Sequence, residues 1–424
     1  MTQHDQNLIS TLSIIFFFTL ALIISPTSTI LVSAQPYKGL VSPITKDPTT
    51  SLYSLTLNFH EKYVIDIGGP FLWYHCPKKY LTVSCYSPEC LNATSYFSPL
   101  CPTFVGEGRN QCTCVVTPVN PVTNKCFLAE LTHKDLIISW TDGEVPKVGI
   151  NFNQLYVSCA PQILMKSLPL GVSGMAGLSR SLVSVSTQFL SPNLEIKRQF
   201  SICLPSTGSV PGVIFFGEGP FYMMPPTKSD VRTILSYTPL IQHPTSPDYY
   251  INLKGVSING KFIRFLARVL DFDSDGNGGV KLSTVVPYTT LRTHIYKPFL
   301  KDFIKATNKI PRAEKVKPFD YCLNTTNLGS TRVGLPVPQI DLVLGNGKNW
   351  TIFGANSMKQ VSNDVACLAF VDGGKKAEQA MVIGSFQMED NFLLFDLEES
   401  RLGFSSSLYF MRTTCGNFNF KGGV

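Results

Sequence analysis

The sequence predicts an all-β protein with a few short helices, and three observations support this. Leu55, Leu57 and Phe59 alternate with polar residues, and an apolar segment returns at 63–67, as in two neighbouring strands. The 31 glycines and 29 prolines are scattered along the 424 residues, a distribution typical of many short strands joined by turns. A short apolar pattern also occurs once in each half of the chain.

Further elements follow from local patterns. Four more segments have the composition of strands, at 136–140, 212–217, 366–371 and 392–396. A helix is predicted after Pro287 and through Lys305, because apolar residues recur there at every fourth position: Leu291, Ile295, Phe299 and Phe303. A shorter helix is predicted at 181–189.

The repeated pattern indicates that one architecture is used twice. In the first half, the loop at 64–69 is followed at long range by the apolar, glycine-containing segment 174–178. In the second half, 280–286 is followed in the same way by 381–384. We therefore expect two lobes that meet near 236–239, an N-terminal lobe at 35–236 and a C-terminal lobe at 237–424.

The segment 1–34 is predicted to be a signal peptide. Its apolar core spans residues 12–24, and Val32, Ser33 and Ala34 form a small-residue cleavage site. The alternative, an uncleaved membrane anchor, needs about 20 apolar residues, and this run is shorter. No later segment is apolar enough to span a bilayer, so we expect a secreted, soluble mature protein.

The charge of the chain is moderately positive. Lys and Arg outnumber Asp and Glu by 36 to 29, a net charge of +7 that becomes +8 once Asp5 is removed with the signal peptide. No dense run of Lys or Arg occurs, which argues against nucleic-acid binding. The excess serves solubility in a mildly acidic medium, or attracts acidic partners or polysaccharide.

All twelve cysteines follow the predicted cleavage site, at Cys76, Cys85, Cys90, Cys101, Cys112, Cys114, Cys126, Cys159, Cys203, Cys322, Cys367 and Cys415. This even number predicts six disulfides formed in an oxidising compartment. Zinc binding is the competing interpretation, but Cys112 and Cys114 have neither CxxC spacing nor nearby histidines. We expect the first eight to pair among themselves, Cys322 with Cys367, and Cys203 with Cys415, although sequence alone proves no pairing.

Three Asn-X-Ser/Thr triplets begin at Asn92, Asn324 and Asn349. They are N-glycosylation acceptors in a secreted protein. Because such triplets also arise by chance, we expect two of the three to carry glycans.

Asp66, within the loop 64–69, has the setting of one catalytic carboxylate of an aspartic protease. Such a site needs two carboxylates about 3 Å apart that share one proton. The position of the second carboxylate holds Ser283, and a serine can neither hold nor relay that proton. We therefore expect no enzymatic activity, and interpret Asp66 as a structural carboxylate held by the backbone N–H groups of its turn.

Five segments carry a resemblance to a known family: 64–76, 177–189, 278–291, 382–404 and 412–420. Together they resemble the pepsin-like plant proteins that have lost protease activity. These include basic 7S globulins, extracellular dermal glycoproteins, xyloglucan-specific endoglucanase inhibitors and wheat-type xylanase inhibitors. The resemblance implies a bilobal pepsin-like fold with two barrel-like lobes and a cleft between them.

The resemblance also identifies the residues that differ from active proteases. Ile67 stands where active members have threonine, and Gly69 where they have serine or threonine. Ser283 stands in place of the second catalytic aspartate. Loss of one member of a cooperating catalytic site costs many powers of ten in rate, so proteolysis is not expected.

A function and a partner are implied as well. The related xylanase inhibitors carry a histidine shortly before the last cysteine, whereas this chain has Arg412 before Cys415. Arg412 and Arg332 match the branch that inhibits xyloglucan-specific endoglucanases. We expect both arginines to enter the active-site groove of a microbial glycoside hydrolase, an endoglucanase of the family 12 type. The inhibitor would be a monomer in the apoplast or cell wall.

Two other functions are possible on the same residues. One is a binding or storage protein like the basic 7S globulins, with small peptides as ligands, and the other is residual proteolysis. No cofactor, metal or nucleic acid is expected. The segment 271–276 resembles the first half of a calcium loop, but Leu282 stands where a bidentate glutamate is needed.

Overall fold

A computed structural model of the chain describes residues 39–77, 80–95, 101, 112–190, 195–223, 229–265 and 268–422. The predicted signal peptide at 1–34 lies outside these ranges. All of the described residues belong to one unit, Tyr37–Val424. No helix within the described ranges is long and apolar enough to cross a membrane.

The described residues of the first half of the chain form twelve strands. They are β1 (Gly39–Lys46), β2 (Tyr53–Leu57), β3 (Glu61–Asp66), β4 (Leu72–Tyr74), β5 (Val115–Val116), β6 (Val119–Asn120), β7 (Lys125–Cys126), β8 (Ala129–Thr141), β9 (Pro146–Cys159), β10 (Val172–Gly177), β11 (Gln199–Cys203) and β12 (Gly212–Gly217).

Sixteen further strands lie in the part of the second half that the structure describes. They are β13 (Ser236–Ile241), β14 (Tyr250–Ile251), β15 (Leu253–Ile258), β16 (Lys261–Phe262), β17 (Val280–Leu282), β18 (Thr289–Arg292), β19 (Arg312–Ala313), β20 (Cys322–Asn324), β21 (Ile340–Leu344), β22 (Asn349–Ile352), β23 (Met358–Ser362), β24 (Val365–Leu368), β25 (Phe370–Gly374), β26 (Met381–Ile383), β27 (Phe392–Asp396) and β28 (Arg401–Phe404).

The α-helices of the described ranges are few and mostly short: α1 (Pro88–Thr94), α2 (Val185–Phe189), α3 (Thr293–Ala306), α4 (Gly354–Ser357) and α5 (Ser385–Met388). Short 3₁₀ helices lie at Gln162–Met165, Val231–Ile234, Leu408–Met411 and Cys415–Asn417. The mostly β content predicted from the sequence is therefore present.

Two parallel strand pairs confirm the internal duplication. In the first half, β3 runs parallel to β10, with Asp66 opposite Gly177. In the second half, β17 runs parallel to β26, with Leu282 opposite Ile383. Each pair joins two of the segments that the sequence repeat related. Asp66 ends β3, and Ser283 directly follows β17.

Strands from the two halves also pair with each other. β11 is antiparallel to β27, and Phe200 faces Phe395 in this register. Their rings stack at a centroid separation of 4.7 Å. β13, which begins at the predicted lobe boundary, is antiparallel to β28. A continuous sheet therefore connects the two halves of the chain, and stacked aromatic rings lie where they join.

Helix α3 differs from its prediction at its N-terminal end. It begins at Thr293 rather than directly after Pro287. Leu291, assigned to the helix by its spacing, lies in β18, where it is opposite Asp372 of β25. Sheet pairing therefore overrides the helical spacing at this residue. Likewise, α2 begins only at Val185, since Ser184 is its N-cap and accepts the N–H of Thr187.

Six disulfides cross-link the chain, and none of the described cysteines is free. Four join cysteines of the first half: Cys76–Cys159, Cys85–Cys112, Cys90–Cys114 and Cys101–Cys126. Cys322–Cys367 closes a local loop, and Cys203–Cys415 joins residues 212 positions apart. A bridge over so long a loop strongly restricts the unfolded chain.

Candidate functional site

Asp66 is the last residue of β3, at the start of a turn. The backbone N–H of Gly68 donates to Asp66 Oδ1 at 2.9 Å. The N–H of Gly69 donates to the backbone carbonyl of Asp66 at 3.1 Å. The carboxyl group therefore accepts a hydrogen bond from its own turn, and the structural role of Asp66 stays a prediction.

The loop after β17 presents Ser283 in the corresponding way. Its side chain is buried. The N–H groups of Val285 and Val286 donate to Ser283 Oγ at 3.3 and 3.2 Å. The hydroxyl thus accepts hydrogen bonds from its turn, as the carboxylate of Asp66 does. Ser283 can accept the hydrogen bonds that an aspartate would accept at this position, but its hydroxyl does not ionise in the pH range where a carboxyl group does.

A threonine joins the two loops. Thr284 Oγ1 donates to the carbonyl of Ile65 at 2.7 Å and accepts from the N–H of Ile67 at 3.3 Å. These bonds place the Asp66 and Ser283 loops side by side. Ile67 follows Asp66 as Thr284 follows Ser283, yet its side chain has no hydroxyl to return the two bonds. The structure therefore brings the loops of Asp66 and Ser283 together through the two hydrogen bonds of Thr284, and Ile67 supplies no matching pair of bonds.

Asp248 and Lys281 also belong to this site, and the sequence analysis missed both. Lys281 Nζ lies 2.6 Å from Asp248 Oδ2, with side-chain exposures of 24% and 13%. Ser246 Oγ donates to the same oxygen at 2.7 Å. Lys281 lies two positions before Ser283, and side chains at that spacing share a face of a strand. That alternation was a signal for Lys281, whereas Asp248 had none.

Gly68 allows the two carboxylates to approach each other. A β-carbon at Gly68 would lie 2.1 Å from Asp248 Oδ1 and 3.5 Å from Asp66 Oδ1. Any other residue at this position would therefore displace the carboxylate of Asp248. The result is a compact cluster of two carboxylates and one ammonium group, which we call the central charge cluster: Asp66, Asp248 and Lys281.

The electrostatics of the central charge cluster follow from burial and charge. Burial raises the pKa of Asp66 to about 6, and the nearby carboxylate of Asp248 adds to this, while Lys281 opposes it. Burial lowers the pKa of Lys281, but the contact with Asp248 outweighs it and leaves that pKa above its ordinary value. Lys281 is thus a firmly charged partner for Asp248, and Asp66 is the group that titrates in mildly acidic solution.

We expect Asp66 to make folding more favourable at acidic than at neutral pH. Its pKa is higher in the folded protein, about 6, than in the unfolded chain. The stabilisation is therefore complete below about pH 4 and is lost as the pH rises through 6. It amounts to at most about 3 kcal/mol. Asp66→Asn should flatten the dependence of the unfolding free energy on pH, measured by urea denaturation between about pH 4 and 7.

The matched control for this measurement is Asp364→Asn, at an exposed aspartate between β23 and β24. It should leave the pH profile of the wild type unchanged. A wild-type profile that Asp66→Asn does not alter would contradict the assignment of this titration to Asp66.

Arg332 and Arg412 lie at the surface, in the second half of the chain. Arg332 belongs to the turn that Thr331 and Gly334 close by backbone hydrogen bonds at 2.8 and 3.2 Å. Arg412 follows the 3₁₀ helix Leu408–Met411 and has left-handed backbone geometry, with φ of 54°. Both side chains are exposed, and neither forms an ion pair with another described residue. Neither contacts Asp66 or Ser283 within the described ranges.

The two arginine loops are neighbours. The carbonyl of Val333 accepts the N–H of Ala355 at 2.8 Å, which ties the Arg332 turn to α4. Phe353, at the start of α4, packs edge-to-face against Phe410 with ring centroids 5.0 Å apart. Phe410 precedes Arg412 by two positions and is 51% exposed. We call the region of Arg332, Phe353, Phe410 and Arg412 the arginine surface.

The three predicted glycosylation sites differ in exposure. Asn324 and Asn349 are exposed, at the end of β20 and the start of β22. Asn92 is only partly exposed and lies within α1. Their glycosylation stays a prediction, in which Asn324 and Asn349 have the more accessible amides.

Comparisons with known proteins place this architecture in a class. The chain is similar to the crystal structure of edgp, with a TM-score of 0.85 and 38% identity over 91% of this chain and 99% of that one. The crystal structure of basic 7S globulin from soybean matches with a TM-score of 0.76 and 28% identity, over the same 91% and 99%. These likenesses confirm the predicted bilobal pepsin-like fold.

Family models and relatives are more specific. The xylanase inhibitor N-terminal and C-terminal family models match residues 50–218 and 248–406. Chitinase CLP of Oryza sativa subsp. japonica is 38% identical over 90% of this chain and 92% of its own length. Probable aspartic proteinase GIP2 of Nicotiana benthamiana is 38% identical over 96% and 97%. The chain therefore belongs to the xylanase inhibitor family of pepsin-like plant proteins, as its sequence resemblance indicated.

Proposed function

We propose that this chain is a secreted, proteolytically inactive protein that inhibits microbial cell-wall endoglucanases, of the xyloglucan-specific, family 12 type. Arg332 and Arg412 enter the active-site groove of the target enzyme. The observation that carries this proposal is the arginine surface, where two exposed arginines without ion pairs to described residues lie on loops braced by Phe353 and Phe410.

The chemistry of the target suits such a surface. Retaining glycanases carry two carboxylates about 5–5.5 Å apart in their groove. A guanidinium group pairs with a carboxylate through two parallel hydrogen bonds and stays charged at every relevant pH. Phe410 adds an exposed aromatic ring to the arginine surface, and aromatic and arginine residues dominate the binding energy of protein interfaces.

The experiment that tests the proposal is an inhibition screen. The secreted protein is incubated with a panel of fungal xyloglucan-specific endoglucanases and xylanases, and residual hydrolysis is measured. We expect loss of activity for at least one xyloglucan-specific enzyme and none for the xylanases, because Arg412 stands where xylanase inhibitors carry histidine. Full activity of every enzyme in the panel would refute the proposal.

The central charge cluster supports the absence of proteolysis. Asp248 is the second carboxylate near Asp66, but it is engaged by Lys281 at 2.6 Å and by Ser246 at 2.7 Å. This carboxylate is therefore engaged by two other side chains, whereas the pepsin-type mechanism requires two carboxyl groups that share one proton. Lys281 also brings a positive charge to the place where two acids would have to act together.

We expect no cleavage of acid-denatured protein substrates at any pH from about 2 to 7. Ser283→Asp alone should not create activity, because the ion pair of Lys281 and Asp248 persists and Ile67 lacks a hydroxyl. Release of acid-soluble peptides is the readout, with pepsin as a positive control. Pepstatin-sensitive cleavage by the wild type that disappears in Asp66→Asn would show that the protein is a protease.

A binding or storage protein is the second candidate. The likeness to basic 7S globulin favours it, since that protein shares the fold at 28% identity. The two functions separate in the inhibition screen, because a storage protein has no reason to block a glycanase. A protein that inhibits nothing would be assigned to the globulin-like group.

The disulfides indicate where the protein acts. Six disulfides suit an oxidising environment outside the cytosol. We propose the apoplast or cell wall as the location, where microbial glycanases act. We also propose that the protein is a monomer whose partner is the enzyme, with no nucleic acid, membrane, cofactor or metal required.

A further inference from the structure

A concave region lies in the first half of the chain, away from the central charge cluster. It is a groove of about 600 Å³, within the usual size range of ligand sites. Its lining includes His60, Glu61, Tyr74, His75, Lys134 and Gln162. Glu61 and Asp66 are the first and last residues of β3, which separates the groove from Asp66 by about 16 Å.

The polar groups of this groove are held in place. Lys134 Nζ lies 3.2 Å from Glu61 Oε2, with side-chain exposures of 18% and 23%. The same ammonium group lies 4.5 Å from the centre of the Tyr74 ring. The hydroxyl of Tyr63 donates a hydrogen bond to the carboxylate of Glu61. Burial opposes ionisation of Glu61, yet this hydrogen bond and Lys134 hold its pKa below the ordinary value.

The hairpin at the rim of the groove stores strain. Asn58 and Phe59 have φ of 48° and 64°, and left-handed geometry is unfavourable for a bulky residue such as Phe59. Phe59 is also 70% exposed. Ile137 fixes the turn, because its carbonyl accepts from Asn58 N–H at 2.9 Å and its N–H donates to Asn58 Oδ1 at 2.6 Å. Strain in a firmly held turn is a marker of functional sites.

Gly149 makes the position of Phe59 possible. A β-carbon at Gly149 would lie 2.8 Å from Phe59 Cζ and 2.7 Å from Ile137 Cγ2. The absent side chain therefore leaves room for the aromatic ring to lie across β9. The next residue, His60, lines the groove, and its backbone N–H donates to the carbonyl of Leu57 at 3.2 Å.

The chemistry of the groove selects a class of ligand. The charges of Glu61 and Lys134 balance each other, which disfavours a strongly charged ligand. Glu61 accepts hydrogen bonds, whereas Lys134 donates them and Gln162 does both. Tyr74 adds an aromatic ring to this polar set. Vicinal hydroxyl groups, each a donor and an acceptor, can bridge a carboxylate and an ammonium group placed side by side.

We propose that this groove binds a neutral oligosaccharide, with hydroxyl groups on Glu61, Lys134 and Gln162 and with His60 at the rim. The site is separate from the arginine surface and independent of it. It gives the protein a means of holding cell-wall polysaccharide whether or not it inhibits a glycanase.

Isothermal titration calorimetry of the full secreted protein tests this inference, with cellohexaose and xylohexaose as neutral probes and trigalacturonate as the charged one. We expect saturable one-to-one binding of at least one neutral hexasaccharide. The double variant His60→Ala/Gln162→Ala should weaken this binding by about tenfold or more, because it removes two hydrogen-bonding side chains. Both residues are exposed, so circular dichroism should show an unchanged fold.

His294→Ala is the matched control, since His294 is an exposed histidine on α3 outside the groove lining. It should bind as the wild type does, and the double variant should retain any glycanase inhibition of the wild type. Three results would overturn the inference: no binding of either neutral probe, neutral binding that the double variant leaves intact, or binding of trigalacturonate alone. If the wild-type protein inhibits no glycanase, the proposed function is refuted, but the assignment of the groove is not affected.

Discussion

Arg412→Ala is expected to weaken inhibition of a xyloglucan-specific endoglucanase by a factor of about 30 to several thousand. The exposed side chain of Arg412 follows the 3₁₀ helix Leu408–Met411, where the backbone is left-handed. In the complex it would replace a sugar contact by a charge-assisted pair with a catalytic carboxylate. Truncation leaves that carboxylate buried without a partner, at a cost of about 2–5 kcal/mol, mainly through faster dissociation.

Variants of the same surface sharpen this prediction. Arg332→Ala should act in the same direction, and Arg412→Lys should rescue only part of the loss, since an ammonium group cannot form the bidentate pair. Arg264→Ala, at an exposed arginine after β16, serves as the control and should inhibit as the wild type does. The arginine mechanism is wrong if both alanine variants at Arg332 and Arg412 match the wild type against an enzyme that it blocks.

Lys281→Met is expected to lower the free energy of unfolding by about 3–5 kcal/mol. Lys281 is the cation of the central charge cluster and lies 2.6 Å from Asp248 Oδ2. Without it, two largely buried carboxylates at Asp66 and Asp248 face each other, and one must be desolvated without a partner or take up a proton. Guanidinium denaturation at neutral pH, where the loss is largest, gives the measurement.

Two controls separate this effect from a loss of surface charge. Lys281→Met combined with Asp248→Asn should recover most of the stability, because it removes the unpaired charge as well. Lys315→Met removes an exposed ion pair with Asp320, at 3.9 Å and with side-chain exposures of 71% and 45%, and should cost less than about 1 kcal/mol. Equal losses in Lys281→Met and Lys315→Met would show that the cluster does not stabilise the fold.

Much of the fold could be predicted because its signals are local. The strands Gly212–Gly217 and Phe392–Asp396 coincide with their predicted segments, since both are continuous apolar runs with clear turn signals. The duplication could be predicted because the same short apolar pattern occurs in both parallel strand pairs, β3 with β10 and β17 with β26. The start of α3 was misplaced because the pairing of Leu291 in β18 depends on residues 80–90 positions later, which periodicity does not contain.

The site was only half predictable for a related reason. Asp66 and Ser283 could be found because each follows its own strand in a recognisable pattern. The ion pair of Asp248 and Lys281 joins residues 33 positions apart in sequence and depends on the space left by Gly68. Contacts of this kind follow from the path of the chain in three dimensions, so no spacing rule reveals them. The neighbourhood of Arg332 and Arg412 likewise depends on α4 and on the packing of Phe353 against Phe410.

The central claim is that the arginine surface occupies the substrate groove of a glycanase. The most direct measurement is the apparent inhibition constant of the wild-type protein against a xyloglucan-specific endoglucanase, determined at increasing concentrations of a xyloglucan oligosaccharide. If the arginines fill the groove, the apparent constant should rise linearly with the concentration of the competing oligosaccharide. An inhibition constant that does not change with oligosaccharide concentration, or the absence of inhibition at any concentration, would contradict the account.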